Sequence, residues 1–475
     1  MPVYLRYLGA ETFGLIGFFT MLQTWLLLLD FGLTPTLSRQ MACYRAGILS
    51  IQELRTLLRT LECFFGLLAL LTTLAGISAS SWVAIKWLKL DHLQPGMVAV
   101  CISMMAAVSG LRWISGLYRS GLIGLEYQTL TNAIMAGIAT LKFVGVFPVL
   151  IFVSAEPIAF FGYQVVVASF EAFIYWKFLH DRVGGTTIRT KPSLRILKDV
   201  LPFAGSLAFT TAIGILNMNL DKLLLSHFQP LWEYGYFSIA LAIASGILML
   251  IAPMTQVTQP RLTILLSQGK NTEFLGLFHE VSQFVSGLMA AVSINVAFFA
   301  IPLLLAWTGD FEVSTHAAPI LVWYALGNGI IGVLTMPYLI QYASGNLRLH
   351  VIGNIIFGSA LLPSIVYAAW KYGGIGTGIV WFATNLVALL LWVPIVFRIY
   401  LKGMFLNWLI KDVLYLWISA SIPIIFFSLF QSNFDSKPLI LVQLLFVGCL
   451  SLLFAWLAGD KTRAHILNFV HRRNI

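Results

Sequence analysis

About thirteen stretches of this chain are apolar over lengths that can cross a bilayer, and the loops between them are short. Crossing hydrocarbon takes ~20 mostly apolar residues per helix. In that medium only helices and closed barrels satisfy their own backbone groups. The stretches fall at 12–33, 60–80, 97–117, 130–153, 157–180, 201–220, 232–255, 281–308, 316–342, 349–370, 375–397, 412–430 and 437–458. These are helix lengths, about twice those of barrel strands. The expectation is an all-α polytopic membrane protein. Composition agrees, since only 10% of the residues are charged where a soluble domain carries roughly a quarter.

The net charge of +10 does not imply nucleic acid, because no soluble basic domain is visible. It reflects loop asymmetry. The loops 34–58, 118–129, 181–200, 256–280, 343–348, 399–411 and 459–475 together hold roughly three times the Lys and Arg of the alternate set. The first set is therefore expected on the cytoplasmic side, with the C-terminus inside and residue 1 outside. Cys43, Cys63, Cys101 and Cys449 lack metal-ligand spacing and read as reduced packing residues. No two of the eight histidines stand at ligand spacing, so no metal is expected, and no cofactor. No G-x-x-x-x-G-K-[ST] occurs, which argues against direct ATP hydrolysis. No cleavable signal peptide is expected, because the first apolar run leads into a membrane helix.

Two segments look alike. YLGAETFGLIGFF at 7–19 and HFQPLWEYGYFSIA at 227–240 each place a Glu before an aromatic–Gly step (Glu11, Phe13-Gly14; Glu233, Tyr234-Gly235). Each leads into a span that ends in a loop with Pro and Arg (PTLSRQ at 35–40; QPRLTI at 259–264). A helix precedes the second copy and none precedes the first. The expected organisation is an N-terminal lobe at 1–180, a polar linker at 181–200, a C-terminal lobe at 201–400, and an additional helix pair with a basic tail at 401–475. The first helix of the N-terminal lobe is expected to be missing. Two-fold repeats of this kind are common in transporters.

The stretch RYLGAETFGLIGFFTMLQTWLLLLDFGLTPTLSRQMA at 6–42 resembles the opening pattern of the polysaccharide repeat-unit (O-antigen-type) flippases. These belong to the multidrug/oligosaccharidyl-lipid/polysaccharide (MOP) exporter superfamily. LKDVLPFAGSLAFTTAIGILNMNLDKLLLSHF at 197–228 is similar to the seventh helix of that family, with its Asp near the end, and WEYGYFSIALAI at 232–243 is similar to the helix that follows. The resemblance implies fourteen helices, two lobes around a central cavity, and a bacterial inner-membrane location. It also implies alternating access that carries an undecaprenyl-diphosphate-linked oligosaccharide between leaflets.

Such a substrate has an anionic diphosphate and a hydrated sugar, and neither crosses hydrocarbon unaided. Cations facing a wet cavity would hold it, arginine in a two-pronged contact. Arg112 and Lys142 are the deepest candidates, with Arg119 and Lys222 nearer the span ends. Asn217 and Asn219 are candidates for the sugar path. Two bland readings stand beside these. Lys142 and Glu171 lie at comparable depth on adjacent spans and would suit a structural ion pair, and Arg112 would reach the interface by snorkelling. Asp221, Asp30 and Glu171 are the candidates for coupling to H⁺ or Na⁺, although Asp30 and Asp221 sit where interface capping also explains them. Gly110, Gly116, Gly121 and Gly124 read as packing residues, and WVAIKWLK at 82–89 reads as an interfacial segment.

The expected partners are the lipid-linked oligosaccharide, membrane lipids and a glycan polymerase. Two rival readings differ in class. A drug/cation antiporter of the same superfamily wants an acidic, aromatic cavity, against which Arg112 and Lys142 argue. A membrane glycan polymerase or ligase wants catalytic groups on a large external loop, and these loops are short. The chain is expected not to be an enzyme.

Overall fold

The structure is a computed structural model that describes residues 2–45, 47–183, 191–429 and 437–464. Part of the linker 181–200 and most of the basic tail lie outside the described residues. The chain is an all-α polytopic membrane protein. In chain order the helices of its first part are α1 (Pro2–Leu26), α2 (Leu33–Arg45), α3 (Ile51–Trp82), α4 (Pro95–Gly124), α5 (Gln128–Phe143), α6 (Val146–Phe152), α7 (Pro157–Val183), α8 (Leu194–Phe228) and α9 (Leu231–Met249). They continue as α10 (Ile251–Ser267), α11 (Asn271–Phe298), α12 (Ala300–Thr308), α13 (Phe311–Ala343), α14 (Arg348–Val387), α15 (Val393–Tyr400), α16 (Phe405–Trp408), α17 (Tyr415–Leu429) and α18 (Lys437–Ala458).

Eleven segments among the described residues are long and apolar enough to span. One of them, Arg348–Tyr400, carries both sequence-predicted spans 349–370 and 375–397. It bends at Gly373, whose φ of 61° suits glycine. The predicted span 201–220 lies in α8.

The chain divides into two compact units, Val3–Gly235 and Tyr236–Ile475 with Met1–Pro2. In the first, α4 is central and packs along α3 on one side and α7 on the other. Leu54, Leu58, Leu61 and Phe65 repeat at helical spacing down one face of α3 and are fully buried, together with Leu117 of α4 and Leu179 of α7. Lipid is as apolar as leucine, so burial alone does not drive helices together in a bilayer; close van der Waals fit does. The sequence supplies that fit with small residues. Gly110 of α4 lies against Ala69 of α3, where an added Cβ would stand 3.1 Å from the alanine methyl. Gly124 abuts the Ser38 carbonyl of α2. The α3 start is fixed by a capping box, in which Ser50 Oγ accepts from Glu53 N at 3.2 Å and the Glu53 carboxylate accepts from Ser50 N at 3.0 Å.

The 82–89 segment ends α3 in a wide turn, Val83–Trp87, and then meets the junction of α8 and α9. Leu231 N donates to Lys89 O at 2.9 Å, Lys89 Nζ donates to Phe228 O at 2.7 Å, and Trp87 Nε1 donates to Ser226 Oγ at 3.2 Å. Beside it the Glu11 carboxylate accepts three successive backbone N–H groups, of Asp91, His92 and Leu93, at 2.8–3.0 Å.

In the second unit α11 is central, packed against α13, α17 and α18. Ala290 of α11, Leu416 and Ala420 of α17, and Val447 and Ala455 of α18 form one buried cluster. The last helix pair thus shares a core with α11. A polar clamp adds to it. Asp412, 2% exposed, bonds His279 Nδ1 and accepts from Gln283 Nε2 at 2.8 Å. The same Gln283 amide reaches Asp460 at 2.5 Å beyond the end of α18.

Candidate functional site

The first unit gathers the deep charges of the sequence. Arg112 projects from α4 and is half-buried. One guanidinium nitrogen, Nη1, donates to Gln23 Oε1 of α1. Its Cζ lies 5.7 Å from the centroid of the Phe19 ring, one helical turn earlier on α1. Phe19 is in turn braced edge-on by Phe161 of α7 at 5.5 Å. The contact with Oε1 fixes the Gln23 amide, and its Nε2 is left buried with no hydrogen-bond partner. A buried donor without a partner costs roughly 1–3 kcal/mol, which is a reason to expect something polar to complete it.

Lys142, in the last turn of α5, places Nζ 5.1 Å from the centroid of its neighbour Phe143. Arg112, Lys142 and Glu171 act on one another electrostatically. Yet among the described residues no carboxylate lies within 4.0 Å of Arg112 or Lys142, and Glu171 joins no contact ion pair. The three therefore form a loose group of two cations and one anion, spread over α4, α5 and α7.

Arg119 lies almost two turns further along α4 and is exposed. It lines a cavity of about 580 Å³ between α2 and α4 with Thr34, Ser38, Arg39, Ser120 and Glu126. Glu126 is paired to Arg45 at 2.9 Å. Its charge is thereby met from outside the lining. Gly116 also borders the cavity, and a Cβ there would touch nothing within 4 Å.

The remaining sequence candidates are placed separately. Asp30 accepts from both Oγ1 and N of Thr34, the latter at 3.4 Å, and so caps the start of α2. Asp221 is 5% exposed on α8 and accepts from Lys222 N at 2.8 Å. Lys222 Nζ donates to Asn219 Oδ1 at 2.6 Å and to Met218 O at 3.1 Å, while Asn219 Nδ2 donates to Ile215 O at 3.2 Å. These contacts span about two turns of α8. The side chain of Asn217 lies outside the described residues.

The sequence reading missed Gln23. Its signal was present, as an amide inside the apolar run 12–33. It also missed Glu62 and His180, which stand on α3 and α7 and meet at 3.1 Å. No spacing along the chain indicates that contact.

Both fold and site are those of a polytopic membrane protein with charge held inside its helix bundle. Residues 1–266 match the family of polysaccharide biosynthesis proteins, and the chain belongs to that family. No curated protein matches it. Two solved structures share its fold. Lipid II flippase MurJ in an inward closed conformation is 15% identical, with a TM-score of 0.70, over 96% of this chain and 94% of that one. An inward-facing multidrug resistance MATE transporter of the MOP superfamily is 16% identical, with a TM-score of 0.62, over 83% of this chain and 92% of that one. At these identities the likeness establishes a fold shared with those two proteins.

Proposed function

We propose that this protein is a flippase. It translocates a lipid-diphosphate-linked oligosaccharide from the inner to the outer leaflet by alternating access, for surface polysaccharide biosynthesis. On this reading it resides in the bacterial inner membrane with its C-terminus cytoplasmic, and it performs no covalent chemistry. The observation that carries the reading is Arg112. A charge at membrane depth costs about 2.5–3.5 kcal/mol on insertion scales, and a merely structural arginine would recover that from a carboxylate. This one is held by a neutral amide, whose own Nε2 is unpartnered, while its electrostatic neighbours are Lys142 on α5 and Glu171 on α7, the acid within reach of its field but not in contact. Two cations and a spare N–H donor suit a diphosphate, which brings negative charge and many acceptor oxygens.

Arg119 and Arg39 give the head group a second cationic surface in the same unit, and membrane lipids take the tail. Lys222, Asn219 and Asn217 are assigned to the sugar path, and Asp221, Asp30 and Glu171 to an ion-coupling role with H⁺ or Na⁺. A glycan polymerase is the proposed downstream partner. The family assignment supports the polysaccharide side of the reading, and the fold supports transport.

The test is genetic and direct. A strain lacking the gene should lose surface glycan and regain it with the native chain. Arg112→Glu and Lys142→Glu should insert to native levels and restore no glycan. Full restoration by both variants would refute the assignment. A strain that keeps its glycan but loses drug efflux would make the protein an antiporter.

A further inference from the structure

We propose that Glu62 and His180 form a proton-binding site. His180 of α7 is 6% exposed, and the side chain of Glu62 on α3 is 9% exposed. His180 Nδ1 lies 2.9 Å from the Trp176 carbonyl oxygen, and Nε2 lies 3.1 Å from Glu62 Oε1. A carbonyl oxygen only accepts, so Nδ1 must carry hydrogen to make that contact. The Nε2···Oε1 contact then also needs a proton, whether it rides on the imidazole or on the carboxyl. Remove it, and whichever tautomer the neutral ring adopts, one ring nitrogen turns a lone pair toward an oxygen lone pair at hydrogen-bond distance. Both contacts are made only while the pair holds this proton, and the titration belongs to the pair rather than to either residue.

The surroundings specify what release does. The N–H or O–H bond breaks, its electron pair stays on the site, and the proton passes to water. Glu62 keeps its other partners in either state, because Tyr118 of α4 donates to Oε1 at 3.1 Å and Arg59 donates to Oε2 at 3.2 Å. The helices α3 and α4 therefore stay tied through Glu62, and of the α3–α7 contacts the Glu62–His180 link alone depends on the proton, since Arg55 Nε of α3 also donates to Val183 O of α7 at 2.9 Å. Arg59 and Tyr118 are the charged and titratable groups that face the pair. No group on α2, α5, α6 or α8 acts on it among the described residues. The Arg59 side chain is 50% exposed and gives water a path to the site. On the orientation proposed above that water is cytoplasmic, so the site senses internal pH. Its link to transport rests on the flippase reading; the proton site itself does not.

The test uses the full chain in lipid nanodiscs with ¹⁵N-labelled histidine, and His180→Gln assigns the resonance. Between about pH 5 and pH 9, the range in which imidazole chemistry is read, Nδ1 should stay protonated while Nε2 titrates in one step. Glu62→Gln, which keeps shape and removes the carboxylate, should move that step, and it serves as the folded variant if His180→Gln does not fold. In proteoliposomes carrying a fluorescent lipid-linked oligosaccharide, the native rate should change roughly tenfold per pH unit on one side of the step, the slope of a single proton. That dependence should vanish in Glu62→Gln and persist in His92→Gln, whose side chain is 83% exposed. An Nε2 resonance that does not titrate, or one unmoved by Glu62→Gln, overturns the proposal, and a rate profile unchanged in Glu62→Gln overturns its link to transport. A titrating pair in vesicles that move no lipid-linked oligosaccharide at any pH supports the proton site and removes the flippase reading instead.

Discussion

The two look-alike segments of the sequence meet in the fold, and their glycines make the contact. A Cβ placed on Gly14 of α1 would stand 2.1 Å from the Leu231 carbonyl oxygen and 3.1 Å from the Gly235 nitrogen. A Cβ placed on Gly235 of α9 would stand 2.3 Å from the Ala10 carbonyl oxygen and 3.2 Å from the Gly14 nitrogen. Each glycine thus faces the residue four positions before the other. A carbon approaches a carbonyl oxygen no closer than about 3.3 Å, so Gly14→Ala must drive α1 and α9 apart by about 1 Å. Both obstructing atoms are backbone and have no rotamer to yield. Overpacking typically costs about 1–3 kcal/mol, and this geometry belongs at the upper end. Alanine returns about 0.8–1 kcal/mol of helix propensity, which leaves a net loss of about 1–2 kcal/mol. Gly235→Ala should cost a similar amount. The double variant should cost less than the sum, because helices already parted admit the second methyl, and residues in contact do not add. Thermal unfolding in detergent, followed by the fluorescence of the 14 tryptophans, reads this out. About 2–4 °C per kcal/mol is expected for a unit of this size. Gly137→Ala on α5 is the control: a Cβ there meets nothing within 4 Å, so propensity alone should leave stability unchanged or raised. A native melting point for Gly14→Ala, or strict additivity in the double variant, would refute the argument.

Two more outcomes follow, one from the site and one from the polar clamp of the second unit. Asp30→Ala should lower stability by about 1 kcal/mol, the usual worth of a cap, and on the coupling role proposed above it should also change the ion dependence of transport; a native melting point refutes the cap, and an unchanged ion dependence refutes the coupling role. Asp460 sits outside the spans, and the hydrogen bond from Gln283 holds its carboxyl below the ordinary carboxylate range. A depressed folded value means that its contribution is complete above the unfolded pKa and is lost as pH falls through the folded one. Acidification through and below the carboxylate range should therefore loosen the α18 end, read by amide exchange of residues 459–463, and Asp460→Asn should flatten that dependence.

The fold was legible because a bilayer leaves the backbone few options. Apolar length alone predicted the all-α polytopic class, and the bend at Gly373 falls in the gap between two predicted spans. Single charges in apolar runs pointed to Arg112 and Lys142 for the same reason, since residues so costly to insert are seldom accidental. Partnership was not legible. Gln23 reaches Arg112 across 89 positions of sequence, and Glu62 and His180 meet across 118. Helical periodicity says which face a residue occupies, but not which neighbour that face meets or at what depth.

The comparison of Lys142 with Glu171 shows what this difference decides. Equal depth on adjacent spans suits an ion pair as well as it suits a cavity cation, and sequence offers nothing to choose between them. The structure separates the two charges beyond contact while keeping them within electrostatic reach. A contact pair would have neutralised Lys142 and left Arg112 as the sole cation of the group. Separation leaves Glu171 to balance the electrostatics of both cations without occupying the donors of either. On the flippase reading proposed above, an arriving diphosphate would find N–H groups that need not first be stripped from a carboxylate, and the group could release it again because the acid already offsets part of the charge. A transporter must do both, since a site that binds its cargo too firmly does not let it go.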